Sequence, residues 1–257
     1  MLRVIPIKII ANYCLESRVQ NVGLCFQNGI ISISYMSTLY IIATPIGNLK
    51  DISLRALSVL KEVDLILCED TRVTKKLLAH YQIKTPTLSY HQHSKLKKTE
   101  YIIQLLKKGK NLALVSDAGT PGISDPGNLL VKEAIERLGE KIKVVPIPGA
   151  CALTCAASIC GFPMDKFLFL GFLPTKRKRK KFFEEIANSK YPVIFYESPY
   201  RILKTLKELS AFLNEREIVV CRELTKKFET IYRGKINEVI KKLEKDEIKG
   251  EFTIIIK

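Results

Sequence analysis

Short runs of strand-forming apolar residues alternate with helical patterns from Leu39 to about residue 147. Strands are predicted at Leu39–Ala43, "DLILC", "LALVS" and "IKVVPI", and helices at Thr71–Tyr81 and at residues 95–108. Another helix is predicted from Asp51, which we expect to cap its first turn. Because a strand–helix–strand unit joins parallel strands by a right-handed crossover, this alternation predicts a largely parallel sheet.

The pattern changes after Gly149. A helix of small residues, "GACALTCAASICG", is followed by "FLFLGF", "PVIFYES", "REIVVCREL", "ETIYRG" and "EFTIIIK". Late strands with fewer intervening helices are typical of an α+β domain with a mixed sheet. We therefore expect an α/β fold with a first domain over residues 36–148 and a second over 149–257.

Residues 1–35 have a different character. Their apolar stretch is interrupted by polar residues, and no clear small-residue cleavage site follows, so this is a poor signal peptide. Met36 stands just before the first convincing strand. We expect translation to start there; the alternative is a loosely ordered N-terminal extension.

Charge and cysteine content limit the class of protein. The net charge is +16, from 42 basic and 26 acidic residues, which favours a polyanion partner because basic residues that neutralise phosphates release counterions. A lysine-rich organism is the alternative. No apolar run reaches the roughly 18 residues of a membrane span, so we expect no membrane association. Seven cysteines without a CxxC pair indicate reduced thiols and a cytoplasmic protein.

Three loops rich in glycine and proline each follow a predicted strand: "ATPIGN" (43–48), "SDAGTPGISDPG" (116–127) and "PIPGAC" (146–151). Loops at the carboxyl edge of a parallel sheet line its ligand crevice, so a shared binding site is predicted; ordinary turns are the alternative. None has the spacing of a dinucleotide or P-loop motif. In the second loop, Asp125 and Pro126 are expected to cap and open a helix, so that Asp125→Ala would lower stability.

Two charged segments border these loops. "EDTR" (69–72) follows a strand and predicts either a hydrogen-bonding platform or a helix N-terminus, with Asp70 as cap and Arg72 paired to a neighbour. In "SYHQHS", His91 and His93 lack a third ligand, so we assign no metal site. Contact with RNA or a role in proton transfer stays open for both histidines.

Six consecutive basic residues occupy positions 176–181, in "FLPTKRKRKK". A solvated helix face would alternate charge signs, so the run favours a phosphate-binding patch over an ordinary surface. Further on, "IFYESPYR" and "CRELTKKFET" place charged residues at strand ends, where buried ion pairs are the alternative to a functional role.

The ordered set "LYIIATPIGNLKDISLRAL", "CEDTR", "LVSDAGTPGISDPG", "VPIPGACA", "GFLPTK", "FYESPYR" and "RELTKKFET" resembles the ribosomal small-subunit methyltransferase I family of the tetrapyrrole methylase superfamily. The resemblance covers residues 39–257. It implies two α/β domains with mixed sheets flanked by helices, S-adenosylmethionine in the cleft between them, and a homodimer. The implied reaction is 2′-O-methylation of a cytidine ribose in the decoding centre of 16S rRNA, in free rRNA or in the small subunit. Many members also continue beyond the last strand into a helical tail.

The resemblance also implies roles for individual residues. The residues expected to bind the cofactor are Pro45, Ser116, Asp117, Ala118, Gly119, Thr120, Gly149, Ala150, Cys151, Ala152 and Tyr196. The residues expected to bind RNA are Arg72, Lys176, Arg177, Lys178, Arg179, Lys180, Lys181 and Lys226.

A ribose hydroxyl is weakly acidic, so a general base should assist methyl transfer. Glu69 and Glu197 are the residues we expect to orient the hydroxyl, with Asp70 and Lys226 as further candidates. Two alternatives stay open: a methylase acting on a porphyrin or corrin ring, and an inactive RNA-binding module. The six basic residues disfavour the first, and the loops shaped for a cofactor disfavour the second.

Overall fold

Two five-stranded sheets, each with helices on both faces, organise the described part of the chain. The computed structural model describes residues 22–27, 30–91, 96–125, 127–175, 179–213 and 216–257. An antiparallel pair, β1 (Val22–Gln27) and β2 (Ile30–Tyr35), precedes the two sheets. Among the described residues, no helix combines the length and the apolar character needed to cross a bilayer.

The first sheet is parallel in all four of its strand pairings, with the order β5-β4-β6-β3-β7. Its strands are β3 (Ser37–Ile42), β4 (Leu65–Cys68), β5 (Thr87–Ser89), β6 (Leu112–Val115) and β7 (Ile142–Ile147). Its helices are α1 (Leu54–Glu62), α2 (Thr71–His80), α3 (Leu96–Lys107) and α4 (Asn128–Leu138).

Both faces of this sheet are buried. Leu112 and Leu114 pack with α3 and α4, whereas Ala113 and Val115 pack with α1 and α2. The alternation follows from the two-residue period of a strand. Burial on both faces explains why β6 reads as an unbroken apolar run.

The order of the strands creates a crevice between β3 and β6. The helix that follows β3 lies on one face of the sheet, and the helix that follows β6 lies on the other. The loops leaving these two neighbouring strands therefore diverge at the carboxyl edge, which is where open α/β sheets bind ligands.

The second sheet is mixed, with the order β11-β10-β12-β9-β8. Only β8 and β9 pair in parallel; the other three pairings are antiparallel. Its strands are β8 (Leu168–Phe172), β9 (Val193–Glu197), β10 (Glu217–Arg222), β11 (Thr230–Lys235) and β12 (Phe252–Ile256). The helices are α5 (Ala152–Ile159), α6 (Arg179–Asn188), α7 (Ile202–Leu213) and α8 (Ile236–Leu243).

A layer of helices covers each face of the second sheet. Phe195 and Ile254 belong to a core shared with α6, α7 and α8, while Ile194 and Ile255 face α5. Ile46, from the loop after β3, joins the core beneath α5. The first sheet's loop is thus packed directly against the second sheet's core.

The predicted α/β class with two sheets flanked by helices is confirmed, with three corrections of detail. The first sheet is parallel, not mixed, because every described connection within it is a βα crossover. Helix α1 is capped by Ser53, whose side chain accepts from the Ala56 N–H at 3.1 Å; Asp51 ends a short 3₁₀ turn instead. Helix α4 begins at Asn128 after Gly127, with no side-chain cap, so Asp125 is not its cap. Pro126 lies outside the described residues.

Candidate active site

The loops after β3 and β6 are joined by backbone hydrogen bonds. Thr44 N donates to Gly119 O at 2.9 Å, and Gly119 N donates to Thr44 O at 3.0 Å. The Thr44 hydroxyl donates to Ser116 O at 3.1 Å, and the Ser116 hydroxyl donates to Gly119 O at 3.0 Å. Gly119 has a φ of 82°, a left-handed conformation that a residue without Cβ adopts without strain. The backbone of the "SDAGTP" segment is therefore held in one shape.

The loop after β7 packs on the same assembly. The Thr120 hydroxyl donates to Ala150 O at 3.2 Å. A Cβ added at Gly149 would lie 3.0 Å from the Ala43 Cβ, so a side chain here would push the two loops slightly apart, whereas glycine allows the close approach. The structure thus brings together all three loops singled out by their glycines and prolines.

A cavity of about 390 Å³ lies between these loops and the second sheet. Phe172 and Tyr196 form an aromatic wall on the second sheet's side, with their ring centroids 5.5 Å apart. The Tyr196 hydroxyl accepts a hydrogen bond of 3.2 Å from Leu153 N at the start of α5. Burial is the main cause that raises the pKa of Tyr196 well above its ordinary value, so this hydroxyl stays protonated.

Most residues expected to bind the cofactor border this cavity. Those in its lining are Asp117, Ala118, Gly119, Thr120, Cys151, Ala152 and Tyr196. Ser116 lies behind the wall and is buried. Ala150 and Gly149 support the wall through the contacts described above, and Pro45 is not among the lining residues.

The lining also contains residues that were not individually predicted to bind the cofactor: Ile46, Ile123, Ser124, Asp125, Phe172, Glu197, Ser198, Pro199, Glu251, Phe252 and Thr253. Glu251, Phe252 and Thr253 come from the start of the last strand, where Gly250 precedes them but no loop rich in glycine and proline indicates a site. Ser124 and Asp125 lie in the loop between β6 and α4, although the sequence predicts that Asp125 begins a helix.

An open groove of about 970 Å³ adjoins the cavity. Glu69, Tyr90 and His91 are among its lining residues. Asp117, Ser124 and Asp125 line both spaces. The two spaces therefore meet at these residues, and a molecule in the groove can approach one held in the cavity. His93 lies outside the described residues.

Asp125 lies where the cavity and the open groove meet, and the pKa of its carboxyl is raised. Burial, and after it the charge of Glu69, raises the pKa of its carboxyl from 3.8 to about 6; a hydrogen bond with Ser116 opposes the shift. The carboxylates of Asp117 and Glu251 add to the increase. A perturbed carboxyl group in a cleft is typical of a functional site.

Glu197 is among the residues that line the cavity, yet its carboxylate is engaged by other groups of the protein. Its side chain is fully buried and forms an ion pair with Arg201 at 2.5 Å. The Thr205 hydroxyl donates to its Oε2 at 2.7 Å, and Ser198 N donates to its Oε1 at 2.8 Å. These contacts hold the 197–201 turn and favour a structural role; that Glu197 orients the acceptor stays a prediction. Glu69 lines the open groove together with Asp70, Asp117 and Asp125, and its role in orienting the acceptor stays a prediction.

Two residues expected to bind RNA are held in internal networks. The Arg179 guanidinium donates to Glu208 at 2.6 Å and to the Thr205 hydroxyl at 2.8 Å, and it is only 12% exposed. Lys226 Nζ donates to Glu223 at 2.8 Å and to Glu251 at 2.9 Å. Both cations are therefore engaged by partners within the protein, and their contact with RNA stays a prediction.

The remaining basic residues differ in accessibility. Arg72 is 86% exposed and pairs with Asp70 at 2.6 Å; this pairing is the first cause that lowers the pKa of Asp70 to about 2. Lys180 and Lys181 are exposed at the start of α6. Lys176, Arg177 and Lys178 lie outside the described residues.

Comparison with known proteins assigns the fold and the family. The sequence profile of the tetrapyrrole (corrin/porphyrin) methylases matches residues 38–240. The chain is 45% identical over 221 residues to the ribosomal RNA small subunit methyltransferase I of Thermotoga maritima, which spans 86% of this chain and 98% of that protein. The chain belongs to this family. The proteins of the same name from Haemophilus influenzae and Bacillus subtilis are 49% and 48% identical, and the matches cover 77% and 76% of their lengths.

Solved structures agree with the family's fold. Diphthine synthase superimposes with a TM-score of 0.66 at 14% identity, over 86% of this chain and 89% of that one. A cobalt precorrin-4 methyltransferase superimposes with a TM-score of 0.58 at 18% identity, over 91% and 98% of the two chains. The tetrapyrrole methylase type of fold is thereby confirmed. Membership of the ribosomal RNA small subunit methyltransferase I family makes this chain a methyltransferase.

Proposed function

We propose that this protein transfers the methyl group of S-adenosylmethionine to the ribose 2′-hydroxyl of a cytidine in the decoding centre of 16S rRNA. The observation that carries the proposal is an identity of 45–49% to the named methyltransferases over about 85% of the chain. The geometry supports it, because a cavity for a small cofactor opens onto a groove wide enough for a larger acceptor.

The cavity suits S-adenosylmethionine in size and charge. A volume of about 390 Å³ lies within the range of small-molecule sites. Its charged lining residues are all acidic, with Asp117, Asp125 and Glu251 near its open side, and the cofactor carries positive charge on its sulfonium and ammonium groups. Phe172 and Tyr196 offer apolar surface to an adenine ring.

When bound, the cofactor supplies an activated methyl group on sulfur. The protein's own task is to align the acceptor oxygen with that methyl group, and such positioning contributes several kcal/mol. We assign the wall to Asp117–Thr120 and the balancing of the cofactor's charge to Asp117 and Asp125. Glu69, in the groove, accepts the proton that leaves the acceptor hydroxyl as the new oxygen–carbon bond forms.

Three further features belong to this proposal. The two sheets represent two domains, over residues 36–148 and 149–257. The functional unit is a homodimer, which light scattering of the purified protein tests. The site of action is the cytoplasm, where the rRNA substrate is found.

The decisive experiment incubates the purified protein and methyl-labelled S-adenosylmethionine with unmethylated small subunits and with free 16S rRNA. We expect label in RNA, recovered as 2′-O-methylcytidine after nuclease digestion and mass spectrometry. Label on a base would disprove the assigned acceptor. Cofactor binding without any labelled RNA would favour a porphyrin or corrin substrate instead.

Glu69→Gln tests the assigned proton acceptor, with the exposed Glu62→Gln in α1 as the control. We expect Glu69→Gln to slow single-turnover methylation at least tenfold at saturating cofactor and RNA. A change of less than a few-fold would remove Glu69 from this role.

A further inference from the structure

The exposed face of α2 carries a row of basic side chains. Arg72, Lys76 and His80 are four residues apart, a spacing that places side chains along one side of a helix. All three are exposed. From Arg72 to His80 the helix advances about 12 Å, and the sequence of α2 contains no acidic residue. The row begins at Arg72, which lines the open groove.

The row continues onto two other parts of the fold. His80 lines a second surface groove, together with Lys50 from the loop after β3 and Lys227 from the loop after β10. No acidic side chain is among the described residues that line this groove. Cations in the last turn of a helix can merely stabilise its dipole, but that effect does not account for Lys50 and Lys227, which come from other elements.

Three lysines of the row and of the second groove are not neutralised by acidic side chains in the part of the chain that the structure describes. Within the described ranges, Lys50, Lys76 and Lys227 form no ion pair, in contrast to the neighbouring Lys226, which is held by two carboxylates. Arg72 is the partly neutralised member, because it pairs with Asp70. The uncompensated charge therefore lies at the end of the row away from the open groove.

An exposed aromatic side chain adjoins the same groove. Phe228 is 64% exposed, and Lys227 Nζ lies 5.5 Å from its ring centroid. Thr225, in the same loop, has a φ of 66°, a conformation rare for a β-branched residue, and its hydroxyl accepts from Asn48 N at 3.2 Å. Strained loops of this kind are retained where they position functional groups. An aromatic ring beside cations is the pattern that binds single-stranded nucleic acid.

We infer that Arg72, Lys76, His80, Lys50, Lys227 and Phe228 form a track for the backbone of the RNA, leading a single strand away from the open groove. This basic track rests on the proposed function for the identity of its ligand. The row of about 12 Å on α2 is long enough to contact more than one phosphate of the strand, and Phe228 stacks on a base beyond them.

The experiment measures binding of a fluorescein-labelled single-stranded oligoribonucleotide from 50 to 400 mM salt, by anisotropy. The test variant is Lys50→Glu/Lys76→Glu/Lys227→Glu. The control is Lys61→Glu/Lys107→Glu/Lys141→Glu, which makes the same charge change at exposed positions preceding β4, β6 and β7. We expect the test variant to bind at least tenfold more weakly and to lose about 2–3 from its log–log salt slope, with the control changed less than twofold.

Equal affinity and slope in the two variants would overturn the inference. So would an unchanged RNA affinity combined with lost binding to vesicles of anionic phospholipid, since the track would then face a membrane. A methylation assay separates this result from the proposed function. If the inference holds, the test variant keeps its cofactor affinity and regains its single-turnover rate at saturating rRNA. If the proposed function is wrong, even the wild-type protein does not label RNA.

Discussion

The hydroxyl of Tyr196 in β9 accepts a hydrogen bond of 3.2 Å from the backbone N–H of Leu153 in α5. Helix α5 has Cys151 at its N-cap, and no side-chain cap bond forms there. A tyrosine from the second sheet therefore satisfies one of the N–H groups that every helix start leaves without a partner. The same ring lines the cavity, so the cavity wall and the start of α5 share one side chain.

Replacing Tyr196 with phenylalanine tests this double role. The ring remains, but the Leu153 N–H loses its acceptor, so we expect a loss of about 1 kcal/mol in the free energy of unfolding and a several-fold weaker affinity for S-adenosylmethionine. Urea denaturation and calorimetric titration measure the two effects. Tyr101→Phe, at a half-exposed position on α3, should change neither the free energy of unfolding nor the cofactor affinity. If Tyr196→Phe behaved like this control, the double role of Tyr196 would be refuted.

Glu197→Gln separates a structural carboxylate from a catalytic one. The substitution leaves the partly buried Arg201 guanidinium without its counter-charge, so we expect the free energy of unfolding to fall by about 2–4 kcal/mol. The single-turnover rate of the folded protein should stay within a few-fold of wild type. Glu244→Gln breaks an exposed pair with Lys207 and should cost less than about 1 kcal/mol. A large rate defect in a stable Glu197→Gln variant would restore its catalytic role.

Asp125→Asn should stabilise the protein above pH 6, the opposite of what a helix cap would do. The folded state raises the pKa of this carboxyl from 3.8 to about 6, so the folded protein keeps a proton that the unfolded chain loses between these values. Stability therefore falls as pH rises through that window. The variant lacks this penalty and should gain roughly 1 kcal/mol at pH 7.5, a value reduced for partial exposure. Thermal denaturation at pH 4.5 and 7.5 measures it; a loss of stability at pH 7.5 would favour the cap.

The same carboxyl should make cofactor affinity depend on pH. Above pH 6 Asp125 is ionised and attracts the cationic cofactor, together with Asp117 and Glu251; as pH falls through about 6 it gains a proton. We expect wild-type affinity to drop several-fold between pH 7.5 and 5.5. Asp125→Asn should bind more weakly at pH 7.5 and lose less on acidification. If the cofactor affinities of the wild-type protein and of Asp125→Asn fell equally on acidification, the pH dependence would come from another group.

Gly47→Ala should separate the loop after β3 from the loop after β10. A Cβ at Gly47 would lie 2.3 Å from Lys226 Cγ, so the two loops must move apart, at a cost of about 1–3 kcal/mol. Denaturation curves measure the loss. Adding Lys226→Ala should restore part of it, because the contacting atom is removed; strictly additive losses would contradict the steric explanation.

The strand–helix alternation made the first sheet predictable, because buried parallel strands are continuous apolar runs and their helices repeat at 3.6 residues. The three loops could also be predicted to meet, since loops at one edge of a sheet converge. The roles of individual residues in these loops were harder to predict. Asp125 followed by proline has the pattern of a helix cap. Only the fold shows that α4 begins three residues later, at Asn128.

The cavity-lining residues that come from the second sheet could not be predicted from the sequence. Phe252 and Thr253 enter the cavity because β12 lies between β9 and β10, a topology that no local pattern encodes. Likewise, a run of basic residues predicts a phosphate site, yet Arg179 turns inward to Glu208 and Thr205. A charge run gives the sign of a surface but not the direction of each side chain.

Helix α5 packs on β9 and β12 of the second sheet, although the chain has only just left β7 of the first. If the cavity opens to exchange its contents, α5 must therefore travel with the second sheet as one body. The chain would then bend in the short segment of residues 148–151. Opening would break the Thr120–Ala150 hydrogen bond and separate Ile46 from the core beneath α5.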